Sequence, residues 1–544
     1  DEVLPAPVVD AIVSRSGGNP FFLLELVGSA AEGEGELPTS VEAAVAARID
    51  HLQVRDRRLL GYAAVLGQQF SLDLMADALP DASVDDVDAW QRLSEFLETS
   101  LGGKVRFRQP IVRDVAYEGL PFERRRQLHE AIGEALERRA RKRPERFAEL
   151  LSLHFDRAGI FAKAWEYSVM AAERARRKFA NVDAAELYQR ALDAEDSMEG
   201  EAPPEERAKV AEALGDVTEV AGMYDKAESA FVEALRLVGD TGPDAARVLL
   251  KRGILRERTS DYDEGIEILE QVGPALEGAG DEGVEIGLEA RVEIAAIRSR
   301  QGDMEQTVAL CQEVVTAADA EAHPSVLAHA YYLMEFAYTR LNHPERGTIG
   351  EKAAEIYREL GEHVKLGNTL NNLGYDAFYL GKWDKAFEYW TEAKETRDKA
   401  GDIIGSALQK NNLSEIAMHR GDLAQARSML EHALRVWRGA GYEVGVAYAS
   451  ANLGLVASRE GKRDEARQLL DTSVDVFTAA GAEAYLPDIR VRYAEFLLAG
   501  AEADAALEML EPDIEASLES GDTLALSTLH RLVGLARFQK GDVE

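Results

Sequence analysis

Asparagine pairs recur along this chain of 544 residues: Asn371-Asn372, then Asn411-Asn412, then the single Asn452, at steps of 40 residues. An asparagine side chain offers two donors and an acceptor without charge, which suits it to the backbone amides of an extended peptide. Aromatic residues, which supply apolar contact area with a polar tip, stand close by in the sequence. The spacing is therefore read as a binding groove for a peptide or protein segment, with Asn368, Asn371, Asn372, Tyr375, Tyr379, Asn411, Asn412, Tyr448 and Asn452 as its contacts. Glu415, His419 and Arg459 fall on the same helical positions. The competing reading has the amides bonding between neighbouring helices and binding nothing. On the groove reading, alanine at Asn372, Asn412 and Asn452 weakens capture of a partner without melting the fold.

Other chemistries find little support. No Gly-x-x-x-x-Gly-Lys-Ser/Thr run occurs, so the chain offers no phosphate loop. No nucleophile, base and oxyanion constellation is legible, so no catalytic residue is assigned. His323 and His343 each precede a proline, without the His-x-x-x-His spacing of a metal site, and no metal is expected. Cys311 is the one cysteine, which excludes a disulfide within the chain and fits a reducing, cytoplasmic setting. Asp and Glu number 98 against 62 Lys and Arg, a formal charge of −36. That balance repels phosphate backbones and anionic lipid. Nucleic acid and membrane partners are not expected, and no apolar run is long enough to span a bilayer.

The elements that would carry the asparagines form a repeat. Each asparagine run is followed by a turn of one design: Gly381-Lys382-Trp383-Asp384-Lys385-Ala386, Gly421-Asp422-Leu423-Ala424-Gln425-Ala426 and Gly461-Lys462-Arg463-Asp464-Glu465-Ala466. Glycine ends a helix by entering the left-handed conformation. The alanine, six places into the turn, is small enough to let the preceding helix cross it. Gly374, Ser414 and Gly454 mark where a neighbouring helix approaches closely. Weaker copies read at Leu214-Gly215, Gly253, Gly302-Asp303 with Thr307, Leu341-Asn342, Gly500 with Ala505, and Gly534. The unit resembles the tetratricopeptide repeat (TPR), lengthened to about 40 residues from the usual 34. Trp383, Trp390 and Trp437 are expected to pack between helices.

The first third does not repeat. Ser16-Gly17-Gly18-Asn19-Pro20 opens an amphipathic helix. After it come helices from Leu37, Arg55 and Leu72, and a fourth from Val84 to Leu97. Gly102-Gly103 then leads to Lys104-Val105-Arg106-Phe107, whose alternation reads as a β-wing. The helix before the wing carries five carboxylates against one cation, Arg92, which argues against groove binding to DNA. A basic stretch from Lys104 to Arg146 is expected to pair within the molecule.

These motifs, with the run Arg106-Phe107-Arg108-Gln109-Pro110 and the segment Asp114-Val115-Ala116-Tyr117-Glu118-Gly119-Leu120, resemble signal-transduction ATPases of the STAND type. The latter segment is most similar to bacterial multidomain class III adenylate/guanylate cyclases, with LuxR-type ATPase regulators as the alternative and a stand-alone adaptor as the third. The resemblance implies that Gly18, Asn19 and Pro20 belong to a nucleotide-binding lid. It implies a phosphate sensor at Gln109, where a histidine is usual and glutamine cannot carry the charge. It also implies ATP or ADP bound to a core before Asp1 and not to this chain. The expected fold is all-α: a TPR-like right-handed superhelical solenoid preceded by a helical lid remnant and a winged-helix domain with a small β-wing. The expected boundaries are residues 1–36 for the lid remnant, 37–143 for the winged helix, 144–200 for degenerate hairpins and 208–544 for the superhelix. Both ends are expected to be truncations of a longer parent, in which a cyclase or ATPase region partners this one.

Overall fold

Ser40 is extended, and its hydroxyl accepts from the Ala43 amide at 3.2 Å, which starts the first described helix. The computed structural model describes residues 40–544 apart from 83, 101–103, 199–201, 480–485, 521–522 and 543–544, with scattered positions before residue 40. Gly18 and Asn19 lie outside the described residues; Pro20 sits in a helical turn and is exposed. The chain folds as two compact units, residues 1–261 with 271–279, and residues 262–270 with 280–544.

The first unit begins with α1 (Val41–Asp50), α2 (Val54–Leu66), β1 (Gln69–Ser71), α3 (Leu72–Ala78), α4 (Val87–Arg92), β2 (Leu97–Thr99) and β3 (Lys104–Phe107). The three strands form an antiparallel sheet in the order β1-β3-β2, with Arg106 opposite both Gln69 and Glu98. Helices α1 to α4 with this sheet, whose first strand lies between α2 and α3, make the winged-helix arrangement. Two details correct the sequence reading. The fourth helix stops at Arg92 and not at Leu97, because Leu97, Glu98 and Thr99 are drawn into pairing with β3. The wing also gains a third strand from Gln69 to Ser71.

Charge in this region is settled locally. Arg92 gives two hydrogen bonds, of 2.6 and 2.8 Å, to the buried Asp56, and that contact holds the Asp56 carboxyl below its ordinary range despite burial. Arg106 and Arg108 both reach Glu98, and Arg139 reaches Asp77 and the Asp73 carbonyl. Part of the basic stretch therefore finds acidic partners within the unit.

Next come α5 (Pro110–Glu118), α6 (Phe122–Ala140), α7 (Ala148–Ala158), α8 (Phe161–Arg176), α9 (Asn181–Asp196), α10 (Pro204–Val220), α11 (Tyr224–Val238) and α12 (Pro243–Arg258). Pro203 caps α10 and Pro204 opens it, where a proline costs no hydrogen bond. One apolar cluster runs from Val45 to Leu255, so the winged helix and the first hairpins share a core. His129 on α6 and His154 on α7 meet inside it at 2.9 Å between their Nδ1 atoms, and Tyr117 holds His129 Nε2 at 3.0 Å.

The helix α13 (Tyr262–Glu270) belongs to the second unit and α14 (Val272–Ala275) to the first. The second unit continues with α15 (Val284–Arg300), α16 (Met304–Ala317), α17 (Pro324–Arg340), α18 (Thr348–Leu360), α19 (His363–Tyr379), α20 (Trp383–Ala400), α21 (Ile403–His419), α22 (Leu423–Gly439), α23 (Glu443–Arg459), α24 (Arg463–Ala479), α25 (Leu486–Ala499), α26 (Ala503–Ser520) and α27 (Thr523–Lys540). From α19 onward they alternate as A and B helices of successive hairpins.

The hairpin turns follow the expected physics. Gly381, Gly421 and Gly461 have φ between 72 and 81°, and the Asp422 carboxylate caps α22 by accepting from the Gln425 amide at 3.0 Å. Ala386, Ala426 and Ala466 are fully buried. A Cβ on Gly374 would collide with the Trp390 indole, and one on Gly454 with Leu470, so glycine there permits the close helix approach. Trp390 and Trp437 are core, whereas Trp383 is 37 % exposed and stacks on His419. The degenerate hairpin is shifted by one residue from the sequence reading: Ala501 takes the left-handed turn at φ 60°, and Ala506, not Ala505, is the buried alanine.

Candidate functional site

The asparagines are brought together on successive A helices, but beneath the surface. Asn412 Nδ2 donates to Asn371 Oδ1 at 3.0 Å, and Asn452 Nδ2 donates to Asn411 Oδ1 at 3.1 Å. Gln409 also donates to Asn371, and the Tyr375 hydroxyl donates to Asn412 Oδ1. Asn411, Asn412 and Asn452 are buried, while Asn371 and Asn372 are half-buried. Asn371, Asn411, Asn412 and Asn452 thus satisfy one another across the interfaces of adjacent A helices, as buried polar groups must, whereas Asn372 accepts from Asn371 of its own helix at 3.5 Å. Asn368 is exposed but accepts from Arg397 at 2.6 Å. Tyr448 is half-buried and its ring meets Phe477 edge-on. The sequence reading sets these amides on the groove wall; the structure joins them in a ladder across α19, α21 and α23, buries Asn411 and Asn412 within it, and leaves Asn452 both in the ladder and in the wall of a cavity.

Arg492 on α25 continues the ladder. Its Nε donates to Asn452 Oδ1 at 2.8 Å, and its guanidinium lies 3.3 Å from Glu415. Burial works against the charge on Arg492, yet Glu415 and Asp488 together lift its pKa above the usual arginine value. Burial, reinforced by Glu415, likewise raises the Tyr375 hydroxyl. Sequence reasoning missed Arg492, although it lies 40 residues after Asn452, in the ladder's own register. The chemical change from amide to guanidinium hid it.

Above the ladder lies a cavity of about 380 Å³. Phe378 and Tyr379 of α19, Met418 and His419 of α21, Leu455 and Arg459 of α23, Val491 and Glu495 of α25, and Leu529 and Arg531 of α27 contribute to its lining. Most of its charges are already matched: Arg531 donates to Glu495 at 2.8 Å, and Arg492 faces Glu415 and Asp488. Arg459 differs. It donates to the Met418 carbonyl at 3.1 Å, and among the described residues no ion pair engages it. Burial, with Arg459 nearby, lowers the His419 pKa, so this ring tends to be neutral. Tyr379 is 56 % exposed at the rim. The site therefore offers apolar and aromatic walls beside a guanidinium that bonds a carbonyl but no carboxylate, which can accommodate an apolar side chain next to an anionic group.

The remaining expected residues do not join this site. Gln109 precedes α5 and is half-buried, with no side-chain cap bond. Cys311 is buried, and burial pushes its thiol up to about 12. Among the described residues, no group of three His, Cys, Asp or Glu side chains could hold a metal ion. No described helix is long and apolar enough to cross a membrane.

No curated protein matches the chain. Among solved structures, it is similar to a STAND protein with a tetratricopeptide repeat sensor, PH0952 from Pyrococcus horikoshii, at 13% identity over 98% of this chain and 66% of that one, with a TM-score of 0.35. It is similar to the apo quorum sensor NprR from B. thuringiensis at 14% identity, over 62% and 96%, with a TM-score of 0.45. It is similar to BtubC from P. vanneervenii at 23% identity, over 43% and 92%, with a TM-score of 0.35. These likenesses concern helical architecture and carry no functional argument. The family model that matches is the tetratricopeptide repeat, over residues 406–479, which span the two hairpins holding Asn411, Asn412 and Asn452.

Proposed function

We propose that the chain is the sensing and interaction region of a signalling protein, and that its second unit takes a peptide or protein segment in the cavity above the asparagine ladder. The observation that carries the reading is the Arg459 guanidinium, which no carboxylate among the described residues pairs, beside apolar and aromatic walls in a cavity lined by five successive A helices. A segment with an apolar side chain beside a carboxylate fits that lining. Binding there bridges α19 to α27, so it favours one stacking of the hairpins over others, which is what a sensor needs in order to pass on a signal.

The output assigned to the parent is nucleotide-gated, and cyclic-nucleotide synthesis is the first choice because of the Asp114–Leu120 segment. ATP or ADP is assigned to a separate core: Gln109 supplies a hydrogen bond but no charge to a phosphate, and the described residues carry no phosphate loop. A cyclase domain encoded upstream in the parent gene supports this output; a helix-turn-helix downstream supports a transcriptional regulator.

The test uses an array of random seven-residue peptides probed with the purified chain. Wild type selects peptides with an acidic group next to an apolar residue. The Arg459→Ala and Tyr379→Ala variants lose that selection. Absence of selection by wild type, or selection unchanged in both variants, overturns the reading. The purified chain hydrolyses no ATP and makes no cyclic nucleotide; turnover of either overturns the regulatory assignment.

A further inference from the structure

Three residues of the cavity share one register on successive A helices: Tyr379 on α19, His419 on α21 and Arg459 on α23, at steps of 40 residues. Two helical turns separate them from Asn372, Asn412 and Asn452, so they form a second row beside the ladder. His419, the middle member, is held by its faces. Its ring stacks on Trp383, with centroids 5.0 Å apart, and meets Phe378 at 5.5 Å. Among the described residues, no hydrogen bond or ion pair engages either ring nitrogen.

The carboxylates around this ring already face other cations. Glu415 of the same helix faces Arg492 of α25 at 3.3 Å, and Glu495 of α25 takes Arg531 of α27 at 2.8 Å. On α20, Asp384 beside Trp383 takes Arg420. Arg459 has no carboxylate partner among the described residues, and together with burial it disfavours a charge on His419 in the free chain. A carboxylate arriving beside Arg459 reverses that balance. It cancels the repulsion between the two side chains and accepts a charge-assisted hydrogen bond from the protonated ring. The Trp383 face also favours the cationic ring over the neutral one.

We infer that His419 is a second grip on the acidic group of the bound segment, beside Arg459, and that its ring takes a proton from solvent as that group binds. The inference rests on the peptide reading of the cavity and adds to it a specificity residue and a dependence on acidity. The sign follows from reciprocity: the factor by which the peptide favours protonation is the factor by which the proton favours the peptide. His419 sits below its ordinary value in the free chain, so the ring is neutral at pH 7.5. The bound carboxylate raises it, so affinity grows as pH falls toward 5.5. A glutamate in the peptide, with an ordinary pKa of about 4.3, stays charged over this range, and its own titration would act in the opposite direction.

The probe is a rhodamine-labelled heptapeptide selected on the array, with one glutamate beside an apolar residue and no histidine, titrated by anisotropy at pH 7.5 and pH 5.5. Wild type is expected to bind about fivefold or more tightly at the lower pH. His419→Gln keeps a donor but cannot charge, and is expected to bring the ratio of the two affinities to about one. A peptide with glutamine in place of the glutamate is expected to do the same. Thermal melts at both pH values establish that the chains are folded. If His419→Gln is not, proton uptake by wild type decides, measured by calorimetry at pH 6.5 in two buffers of different ionisation enthalpy; zero uptake overturns the inference. Wild type that binds at neither pH overturns the peptide reading and this inference with it. Binding that does not tighten at pH 5.5, or tightens equally in His419→Gln, overturns this inference alone.

Discussion

At the scale of single residues, the proposed reading divides stability and recognition largely, though not wholly, between different side chains of the same helices: Asn452, Glu415 and Arg492 belong to the ladder and also line the cavity. The asparagine ladder is an internal device: each amide removes another's desolvation cost, so losing one leaves its partner buried without a bond. Gly374 works by absence, and Gly374→Ala drives a Cβ into the Trp390 ring. That change is expected to cost about 1–3 kcal/mol, read by urea denaturation. The His129–His154 pair gives the first unit an acid sensitivity. Burial, with His154 adding to it, lowers His129 from 6.5 to about 3, and burial lowers His154 to about 4. Both must stay neutral in the folded state, while the unfolded chain takes up protons below about pH 6.5. The pair's contribution is intact above that value and drains as pH falls through about 4 and about 3. His154→Gln is expected to flatten this part of the stability–pH curve; an unchanged slope in urea titrations between pH 7 and pH 4 contradicts it.

At the scale of elements, the hairpins are legible wherever chemistry and conformation repeat together. Gly381, Gly421 and Gly461 announce their turns because glycine is both the residue type and the conformational requirement. The register fades where another residue holds the same backbone. Ser260, Asn342 and Ala501 all have positive φ, between 52 and 65°. Their side chains conceal a turn that the backbone retains. Ala501→Gly is therefore expected to stabilise the second unit by about 1 kcal/mol, measured as a rise in denaturation midpoint, with a fall contradicting the strain. The same masking hides Arg492 as the successor of Asn452. The short strand Gln69–Ser71 is hidden for another reason. Three residues are too few to show alternation, and their strand character comes from pairing with Lys104–Arg106. Burial of the asparagines is not legible either. Their spacing shows that they share a face, but only helix packing decides whether that face meets solvent or the next repeat.

At the scale of the whole molecule, the chain carries a formal charge of −36, and many of its cations are committed to carboxylates. Carboxylates engage arginines from neighbouring helices: Glu460 and Glu465 take Arg427, and Glu212 takes Arg247. Arg459 has no carboxylate partner among the described residues and lines a cavity, and the second property is what sets it apart. The proposed division of labour follows: the ladder holds the A helices in register, and the residues above it recognise a ligand. The direct test pairs Asn412→Ala with Arg459→Ala, measuring denaturation midpoint and affinity for a peptide selected from the array on the same preparations. The account expects Asn412→Ala to lose about 1–3 kcal/mol of stability while the folded fraction keeps its affinity. It expects Arg459→Ala to keep its stability while affinity falls by about tenfold or more. If Asn412→Ala abolishes binding without a loss of stability, or Arg459→Ala binds as wild type does, the account is contradicted.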